Sequence, residues 1–336
     1  MRVISRSALK RLLVLLAVLA ALLFYCWWTM IRMPLKSYSG ELATLTEEQQ
    51  VLRDELKAHV EKLAGTIGER NIFQPAALKS AVRYIESTFT NAGLTVSLQT
   101  FEANGETCHN IEVEIPGSVH PEEIVIIGAH YDSVLGAPGA DDNATGTAAA
   151  LALAKSPALQ HPARTLRFVA FMNEEPPFFE TEYMGSLVYA KRCRERNEKI
   201  VAMLSIESIG CYNSKSGSQK YPFPMGLFYP SRGDFFAIVG RSSDAVLVRR
   251  CIKTFRENAQ FPSEGGALPG ALPGVGWSDH WAFWQVGYPA IMLSDTATFR
   301  SPDYHLESDT VEKLDYGRMA RVVDGLTPVI VDLCNH

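Results

Sequence analysis

Several features that mark common functional classes are missing from this 336-residue sequence. Basic residues are not in excess, since 32 Lys and Arg stand against 37 Asp and Glu, which gives a net charge of −5 and a pI near 5.9. That balance has no electrostatic footprint for nucleic acid, so we expect no nucleic-acid partner. The sequence also lacks internal repeats and a glycine-flanked serine of the kind that forms a nucleophile elbow.

Cysteine is sparse, and its placement argues against a metal site built on thiolates. The six cysteines form no Cys-x-x-Cys pair and no cluster with histidine. They are Cys26, Cys108, Cys193, Cys211, Cys251 and Cys334. Cys26 lies in an apolar N-terminal run, which leaves five others. At most two disulfides can therefore form beyond that run, with one thiol left free.

The composition is that of a globular protein. Hydrophobic residues make up 47% of the chain and charged residues 21%. This is enough apolar material for a large core, and it excludes a chain that is disordered, collagen-like or coiled-coil throughout. Length alone is compatible with two domains or with one large α/β domain.

Residues 12–31 form an uncharged apolar run long enough to cross the ~30 Å hydrocarbon core of a membrane as a helix. The basic residues that precede it are Arg2, Arg6, Lys10 and Arg11, and those that follow it are Arg32 and Lys36. By the positive-inside rule, this asymmetry places the N-terminus in the cytoplasm. We interpret residues 1–36 as a tail and single-pass anchor. Residues 37–336 are then one domain on the periplasmic or other extracytoplasmic side. The short N-terminal tail and the compact single domain favour a bacterial inner membrane over a eukaryotic secretory membrane.

Two other interpretations of this run stay open. A cleaved signal peptide normally has an apolar region of ~7–15 residues that ends in small residues. This run is longer and ends in bulky residues such as Trp27 and Trp28. A buried helix of a soluble protein can have the same composition. We favour an uncleaved signal anchor because of the length of the run.

Helix and strand patterns alternate along the rest of the chain. Helices are predicted at 45–64, 76–92, 143–155, 185–196, 244–258 and 311–333. Strands are predicted at 95–101, 110–115, 123–129, 165–173, 199–206 and 290–293. The alternation predicts an α/β fold, a three-layer α/β/α sandwich around a central mixed, largely parallel sheet. Residues 262–276, rich in Pro and Gly, are predicted to form a loop.

Acidic and imidazole groups stand at or just after the ends of these strands, where open α/β sheets bind their ligands. They are His130, Asp132, Asp141, Asp142, Glu174, Glu175, Glu207 and His305. Each has an ordinary alternative role when taken alone, such as a structural histidine or a carboxylate that caps a helix. Together they supply the mixture of nitrogen and oxygen ligands that suits zinc.

The number of ligands predicts more than one ion. Five groups, His130, Asp142, Glu175, Glu207 and His305, exceed one tetrahedral site. If Asp142 is shared, they divide into His130, Asp142 and Glu207 on one side and Asp142, Glu175 and His305 on the other. Glu174 is then free to act as a base.

The segments around these residues resemble the co-catalytic zinc aminopeptidases of metallopeptidase clan MH, family twenty-eight. The matching segments occur in the order of that family: GAHYDS, PGADDNATG, FMNEE with Gly185 and Ser186 following, SIESIG, WSDHWAFWQVGYPAI and YHLESDT. The resemblance covers about residues 60–330. It implies the zinc-peptidase fold in residues 37–336, two Zn²⁺ ions, and hydrolysis of N-terminal residues from peptides with a free N-terminus.

The resemblance also assigns roles to single residues. His130 and Glu207 bind one zinc, Glu175 and His305 bind the other, and Asp142 bridges them. Glu174 is the general base that activates a water between the metals, and Asp132 supports His130. A cis peptide bond is implied at Asp142–Asn143. Tyr304 is a candidate donor to the developing oxyanion, with simple aromatic packing as an equal alternative.

The sequence departs from the family pattern at two places. Glu207 stands where Asp is more frequent, and Pro176 and Pro177 follow the acidic pair. Phe178 and Phe179, next along the chain, are expected in the core rather than in a substrate pocket. His280 is expected to pack or to support the site rather than bind metal, because His305 already fills the ligand role.

Other functions remain as alternatives. A glutaminyl cyclase has a similar fold but uses one zinc and lacks the first-site histidine, so the presence of His130 argues against it. A non-catalytic, receptor-like relative would have lost ligands that are retained here. A related carboxypeptidase fits the motif spacing less well.

Overall fold

A computed structural model describes residues 6–336 of the chain. Arg2, one of the basic residues predicted to flank the anchor, lies outside the described residues. The helices are α1 (Arg6–Cys26), α2 (Glu47–Val60), α3 (Pro75–Asn91), α4 (Gly146–Ala154), α5 (Gly185–Glu195), α6 (Ala245–Asn258), α7 (His280–Gln285) and α8 (Tyr316–Asn335). The strands are β1 (Val96–Ala103), β2 (Glu106–Ile115), β3 (His120–His130), β4 (Arg164–Phe171), β5 (Lys199–Glu207), β6 (Phe236–Arg241), β7 (Ser263–Leu268) and β8 (Ala290–Ser294).

The eight strands form one mixed sheet in the order β1-β2-β4-β3-β5-β8-β6-β7. β4, β3, β5 and β8 run parallel to one another. β6 and β7 are parallel to each other and antiparallel to β8, and β1 and β2 form an antiparallel pair at the other edge. The predicted mixed, largely parallel sheet is confirmed.

Helices cover both faces of the sheet and complete three layers. One core cluster joins α2, α3, α4, α6 and α8 to one face, and a second joins α5 and α7 to the other. β3 shows the sequence basis of this arrangement. Val125 and Ile127 belong to the first cluster, whereas Ile124 and Ile126 belong to the second. Because side chains alternate along a strand, a central strand covered on both faces needs the continuous apolar run found here.

The edge strand β7 corrects the prediction of a loop over residues 262–276. Its sequence, SEGGAL, contains two glycines that weaken a strand pattern. The strand forms because β6 pairs with it along one edge and the residues after α1 pack against it. Gly265 permits that cover, since a Cβ there would lie 2.9 Å from Cγ of Met33. The remainder of the segment is a loop, as predicted, up to α7.

The N-terminal apolar run is a helix that continues from α1 through a wider turn at Trp27–Ile31. It is the one helix within residues 6–336 long and apolar enough to cross a membrane, and none of its most apolar window is buried. By length and composition it is either an anchor or a signal sequence.

The residues after this helix are bound to the domain rather than loosely tethered to it. We call residues 27–37 the exit segment. Arg249 of α6 donates to the carbonyl oxygens of Trp28 (2.6 Å) and Thr29 (2.9 Å). Further along, the backbone N–H of Ser263 donates to Ser37 Oγ at 2.9 Å. The segment therefore follows α6 and the free edge of β7.

All six cysteines lie in the described part of the chain, and all are free thiols. The prediction allowed up to two disulfides, and the fold brings no pair into bonding position. Cys108, Cys193, Cys251 and Cys334 are buried, where each acts as a small apolar side chain.

A close contact at the start of α5 positions the chain that leads to Glu174. Gly185 donates its N–H to the carbonyl of Met172 (2.7 Å), and Asn110 donates to the carbonyl of Gly185 (2.8 Å). A Cβ at position 185 would overlap the Met172 carbonyl oxygen and Asn110 Oδ1. Only glycine allows this approach of the helix to the end of β4.

We expect Gly185→Ala to destabilise the protein by about 2 kcal/mol, because the added methyl group forces backbone atoms apart. Urea unfolding followed by circular dichroism measures the change. Gly226→Ala is the matched control, since a Cβ there meets only Tyr221 at an ordinary 3.7 Å. Equal unfolding midpoints for the two variants would contradict the proposed close packing.

Candidate metal centre

The sheet register brings the predicted ligands to one edge. His130 is the last residue of β3 and pairs with Phe171, the last residue of β4. Glu174 follows Phe171 by three residues. β5 ends at Glu207, beside the end of β8. Asp142 comes from the loop between β3 and α4, and His305 from the loop after β8. Residues far apart in sequence therefore converge at the carboxyl ends of parallel strands.

Two groups of three ligand atoms share one carboxylate. His130 Nε2 lies 3.2 Å from Asp142 Oδ1 and 3.2 Å from Glu207 Oε2. His305 Nε2 lies 3.2 Å from Asp142 Oδ2 and 3.1 Å from Glu175 Oε2. Each oxygen of Asp142 thus belongs to a different trio. The atoms within each trio lie within 4.8 Å of one another, as ligands of one ion must.

The polar atoms of these trios fit divalent cations. Nε2 of His130, Nε2 of His305 and both oxygens of Glu175 are buried without a hydrogen-bond partner among the described residues. Buried polar atoms are normally paired, so these need another partner. Carboxylates packed against imidazoles are typical zinc ligands. The donor set therefore fits zinc.

The electrostatics lead to the same conclusion. Burial raises the pKa of Glu175 to about 8, and the neighbouring Asp142 adds to the shift. Burial lowers the pKa of His305, but Asp142 and Glu175 outweigh it and raise the value to about 10. The carboxylates thus favour positive charge close to them. Without a metal, protons bound to Glu175 and His305 supply that charge. Metal ions that displace these protons would bind more tightly as pH rises.

Glu174 lies beside the trios without belonging to either. Its Oε2 is 3.8 Å from His130 Nε2, and its side chain is buried. Burial raises the pKa of Glu174 well above the usual range of a carboxyl; His130 opposes that shift, and Glu207 and Glu175 reinforce it. A carboxylate with a raised pKa can both accept and return a proton near neutral pH.

Asp132 contacts the site in a way that the sequence did not indicate. The Nδ1 atom of His130 is closer to the backbone oxygen of Asp132 (3.2 Å) than to its Oδ1 (3.6 Å). The carboxylate of Asp132 instead accepts the backbone N–H groups of Glu174 and Glu175, each at 3.2 Å. Asp132 therefore fixes the backbone of the acidic pair as well as lying beside the histidine ring.

The loop that carries Asp142 is held by a residue that sequence reasoning missed. The two oxygens of Asp309 accept the backbone N–H groups of Asp141 (2.9 Å) and Asp142 (3.1 Å). The peptide bond Asp142–Asn143 is cis, as the resemblance implies. Asp141 belongs to neither trio, and its Oδ1 accepts the N–H of Gly210 at 2.8 Å.

Arg70 and Ser278 are two further supports without a sequence signal. Arg70 is fully buried and donates to backbone carbonyls on both sides of the turn after β3, those of Tyr131 and Gly139, each at 2.7 Å. Burial lowers the pKa of Arg70 to about 10, and it stays protonated at neutral pH. Ser278 donates to Glu207 Oε2 at 2.8 Å, which orients this longer ligand.

Aromatic residues border the trios on one side. The ring of Tyr304 stacks on His305, with centroids 3.9 Å apart and planes at 15°. Burial raises the pKa of Tyr304 far above the usual range, so its hydroxyl stays protonated. Tyr304 and Glu207 also line an apolar cleft. Its walls include Tyr229, Leu268, Trp277, Met292 and Phe299.

Three other candidates lie outside the two trios. His280 is fully buried, its Nε2 lies 2.8 Å from the carbonyl of Val275, and its ring packs edge-on against Trp284. It packs inside the fold rather than joining the ligand atoms. Phe178 belongs to the main core cluster, and Phe179 contacts Trp281. Both phenylalanines thus pack, as expected.

The comparisons with known proteins identify the family. Residues 110–330 match the model of peptidase family M28. The chain belongs to this family. The uncharacterised protein YfbL of Escherichia coli is 38% identical over 286 residues, which cover 82% of this chain and 87% of YfbL. The predicted family and the predicted class, a peptide hydrolase of a zinc-dependent family, are confirmed.

Other relatives match over shorter parts of their length. Leupeptin-inactivating enzyme 1 of Streptomyces exfoliatus is 33% identical over 164 residues, which are 47% of this chain and 36% of that enzyme. This chain also spans about half of several fungal relatives, such as 53% of a probable zinc metalloprotease of Pyrenophora teres.

Solved structures share the fold at low identity. A zinc aminopeptidase from Bacillus subtilis aligns with a TM-score of 0.68 at 16% identity, covering 84% of this chain and 95% of that one. A glutaminyl cyclase from Tannerella forsythia aligns with a TM-score of 0.60 at 20% identity, covering 83% and 98%. These likenesses establish the fold and leave the choice of reaction to the site residues.

We expect Asp309→Asn to weaken zinc binding about 10- to 100-fold, because an amide cannot accept both N–H groups and the loop that holds Asp142 loses its support. Competition with a chromogenic chelator measures the affinity. Asp324→Asn is the matched control, since its carboxylate contacts Gln49 far from the site. Unchanged affinity in Asp309→Asn would show that the loop holds its shape without this carboxylate.

Proposed function

We propose that the protein is an aminopeptidase that holds two zinc ions, one in each trio. The observation that carries the proposal is the position of Asp142, whose two oxygens face different histidines, next to a buried Glu174 that belongs to neither trio. A shared carboxylate with a free base beside it is the arrangement expected of two-metal hydrolysis. The similarity in fold to the zinc aminopeptidase from Bacillus subtilis supports the same choice.

The residues of this chain divide the chemical tasks among them. Bound zinc would supply Lewis acidity that polarises the scissile carbonyl and acidifies water. Glu174 takes a proton from the attacking water and returns it to the leaving amine. Its raised pKa, caused first by burial, suits both transfers. Tyr304, whose ring stacks on His305 and whose hydroxyl stays protonated, is the proposed donor of a hydrogen bond to the oxygen that gains charge.

The surroundings favour peptides with a free N-terminus as substrates. The carboxylate of Glu174 is buried and belongs to neither trio, so it remains free to attract a cation such as an α-ammonium group. The apolar cleft beside Tyr304 and Glu207 can receive the side chain of the first residue. Glutaminyl cyclases remain the nearest alternative in fold, but the first trio, built around His130, argues for the peptidase.

We also propose that α1 is an uncleaved anchor and that residues 37–336 form the catalytic domain on the periplasmic side. A signal peptide that is removed makes no lasting contacts with the mature fold. Here Met33 packs over Gly265, and Arg249 and Ser263 bind the exit segment. These contacts support retention of the segment, and the basic residues before it support a cytoplasmic N-terminus.

We expect Glu174→Gln to lose nearly all activity on a leucyl anilide while keeping its zinc, because an amide of the same shape cannot accept the proton from water. Initial rates and elemental analysis of the full-length protein measure the two quantities. Glu182→Gln changes an exposed residue of the same loop and should retain wild-type rates. Appreciable turnover by Glu174→Gln would refute the assigned base.

The same assay tests the substrate class. The wild-type protein should hydrolyse the leucyl anilide and leave N-acetyl-leucyl anilide intact, since acetylation removes the ammonium group. Hydrolysis of the acetylated compound at a similar rate would contradict an aminopeptidase. Conversion of an N-terminal Gln peptide to its cyclic form, without hydrolysis of either anilide, would favour the cyclase instead.

A further inference from the structure

The direction of the strands fixes where the anchor lies relative to the metal centre. The trios occupy the carboxyl ends of β3 and β5, and β6 runs antiparallel to these strands through its pairing with β8. α6 begins just after the carboxyl end of β6, so its first turn lies at the end of the sheet opposite the metal centre. We call the end of the sheet formed by the carboxyl ends of β3 and β5 the catalytic edge, and the opposite end the membrane-proximal edge.

The exit segment approaches the domain from that edge. Its first residues, Trp28 and Thr29, contact Arg249 near the start of α6, whereas Pro34 contacts Arg256 two turns later. Ser37 then reaches Ser263 at the amino end of β7. The end of the apolar helix is therefore level with the first turns of α6, and the chain climbs from there towards the catalytic edge.

The first turn of α6 presents a surface that suits a lipid headgroup layer. Val246 is 81% exposed, one turn before Arg249 and so further towards the membrane-proximal edge. The exposed guanidinium group of Arg32 lies over the indole of Trp28, with 3.9 Å between Arg32 Cζ and the ring centroid. Tryptophan and arginine are the residues that settle at the headgroup level of a membrane.

We propose that the amino-terminal turn of α6 is a second membrane contact, in which Val246 enters the phospholipid headgroup layer around the anchor and Arg32 faces lipid phosphates, while Arg249 binds the end of the apolar helix to α6. This inference rests on the proposed anchor. The charge of the exposed Arg32 guanidinium complements the phosphates. The contact is continuous with the helix, since Arg249 binds the carbonyls at its end.

The consequence for function is a fixed orientation. β5 has nine residues, and a strand rises ~3.3 Å per residue, so the metal centre lies about 30 Å from the membrane-proximal edge. The centre then faces the aqueous compartment. The substrates it reaches are peptides free in solution, not chain ends held at the bilayer surface.

Quenching of a fluorescent label by lipids tests the contact in the full-length protein. A background with Cys26→Ala and Cys211→Ala removes the two thiols that are not fully buried. Val246→Cys and Leu135→Cys then each carry a bimane label, in vesicles of phosphatidylcholine and phosphatidylglycerol with a nitroxide on part of the headgroups. Leu135 is the matched control, an exposed aliphatic residue (63%) in the loop that follows β3 at the catalytic edge.

We expect the label at position 246 to lose fluorescence and the label at position 135 to keep it. Native Cys26, labelled without its replacement, reports on the anchor through nitroxides on the acyl chains. Quenching at Cys26 without quenching at 246 overturns this inference and leaves the anchor intact. No quenching at either overturns the anchor itself. Quenching at both 246 and 135 overturns the orientation.

A second variant tests the role of Arg249. Arg249→Ala releases the carbonyls at the end of the helix, so quenching at position 246 should fall while quenching at Cys26 persists. Arg83→Ala, which removes an exposed arginine of α3 that donates to Ser80 on the same helix, is the matched control and should change neither signal. Unchanged quenching at 246 in Arg249→Ala would overturn the role of Arg249 in holding the anchor against α6.

Discussion

The mutual repulsion of buried carboxylates is the constraint on which the rest of this structure depends. Asp142, Glu174, Glu175 and Glu207 are all nearly inaccessible to water and lie around two imidazoles. Ionised groups lose several kcal/mol of hydration when buried, and like charges add to that cost. Such a cluster persists only if positive charge enters it. Divalent cations meet this need and at the same time provide the chemistry of peptide hydrolysis.

Much of the surrounding fold serves to hold these groups in place before any cation binds. Backbone N–H groups are donated to Asp132 and Asp309, carbonyl oxygens surround Arg70, and a serine hydroxyl orients Glu207. Each contact joins segments that are distant in sequence. Preorganisation of this kind spares the site the entropy of ordering its ligands when metal arrives. The loops can be irregular because these polar contacts replace a regular hydrogen-bond ladder.

The sequence predicted those parts of the structure that depend on local pattern. His130 and Glu207 could be placed because each ends a strand whose apolar run is legible, and the sheet type followed from the same runs. The roles of Asp309 and Arg70 could not be predicted, since both contact backbone groups of other segments and no sequence spacing indicates such a contact. β7 was missed because Gly265 and Gly266 weaken its strand pattern, although β6 and Met33 of the exit segment stabilise it. The sequence could not predict that the cysteines stay unpaired either, because a disulfide requires two cysteine side chains to lie close together in the fold.

The helix that we propose as the anchor meets the domain at the end of the sheet opposite the catalytic edge. A sheet has two ends, and here one end carries the metal centre while the other receives the exit segment. The contacts of Arg249 and Met33 join the exit segment to the fold, so the direction of the strands sets the position expected for the membrane if the proposed anchor is retained. Under that proposal, the metal centre faces the aqueous compartment.

The zinc content of purified Asp142→Ala, compared with that of the wild type, tests the central claim most directly. Because both trios depend on this one carboxylate, we expect two equivalents of zinc in the wild type and a loss from both sites in the variant, with the circular dichroism spectrum unchanged. A folded variant that retains two equivalents, or a wild type that saturates at one, would contradict a shared carboxylate at the centre of the site.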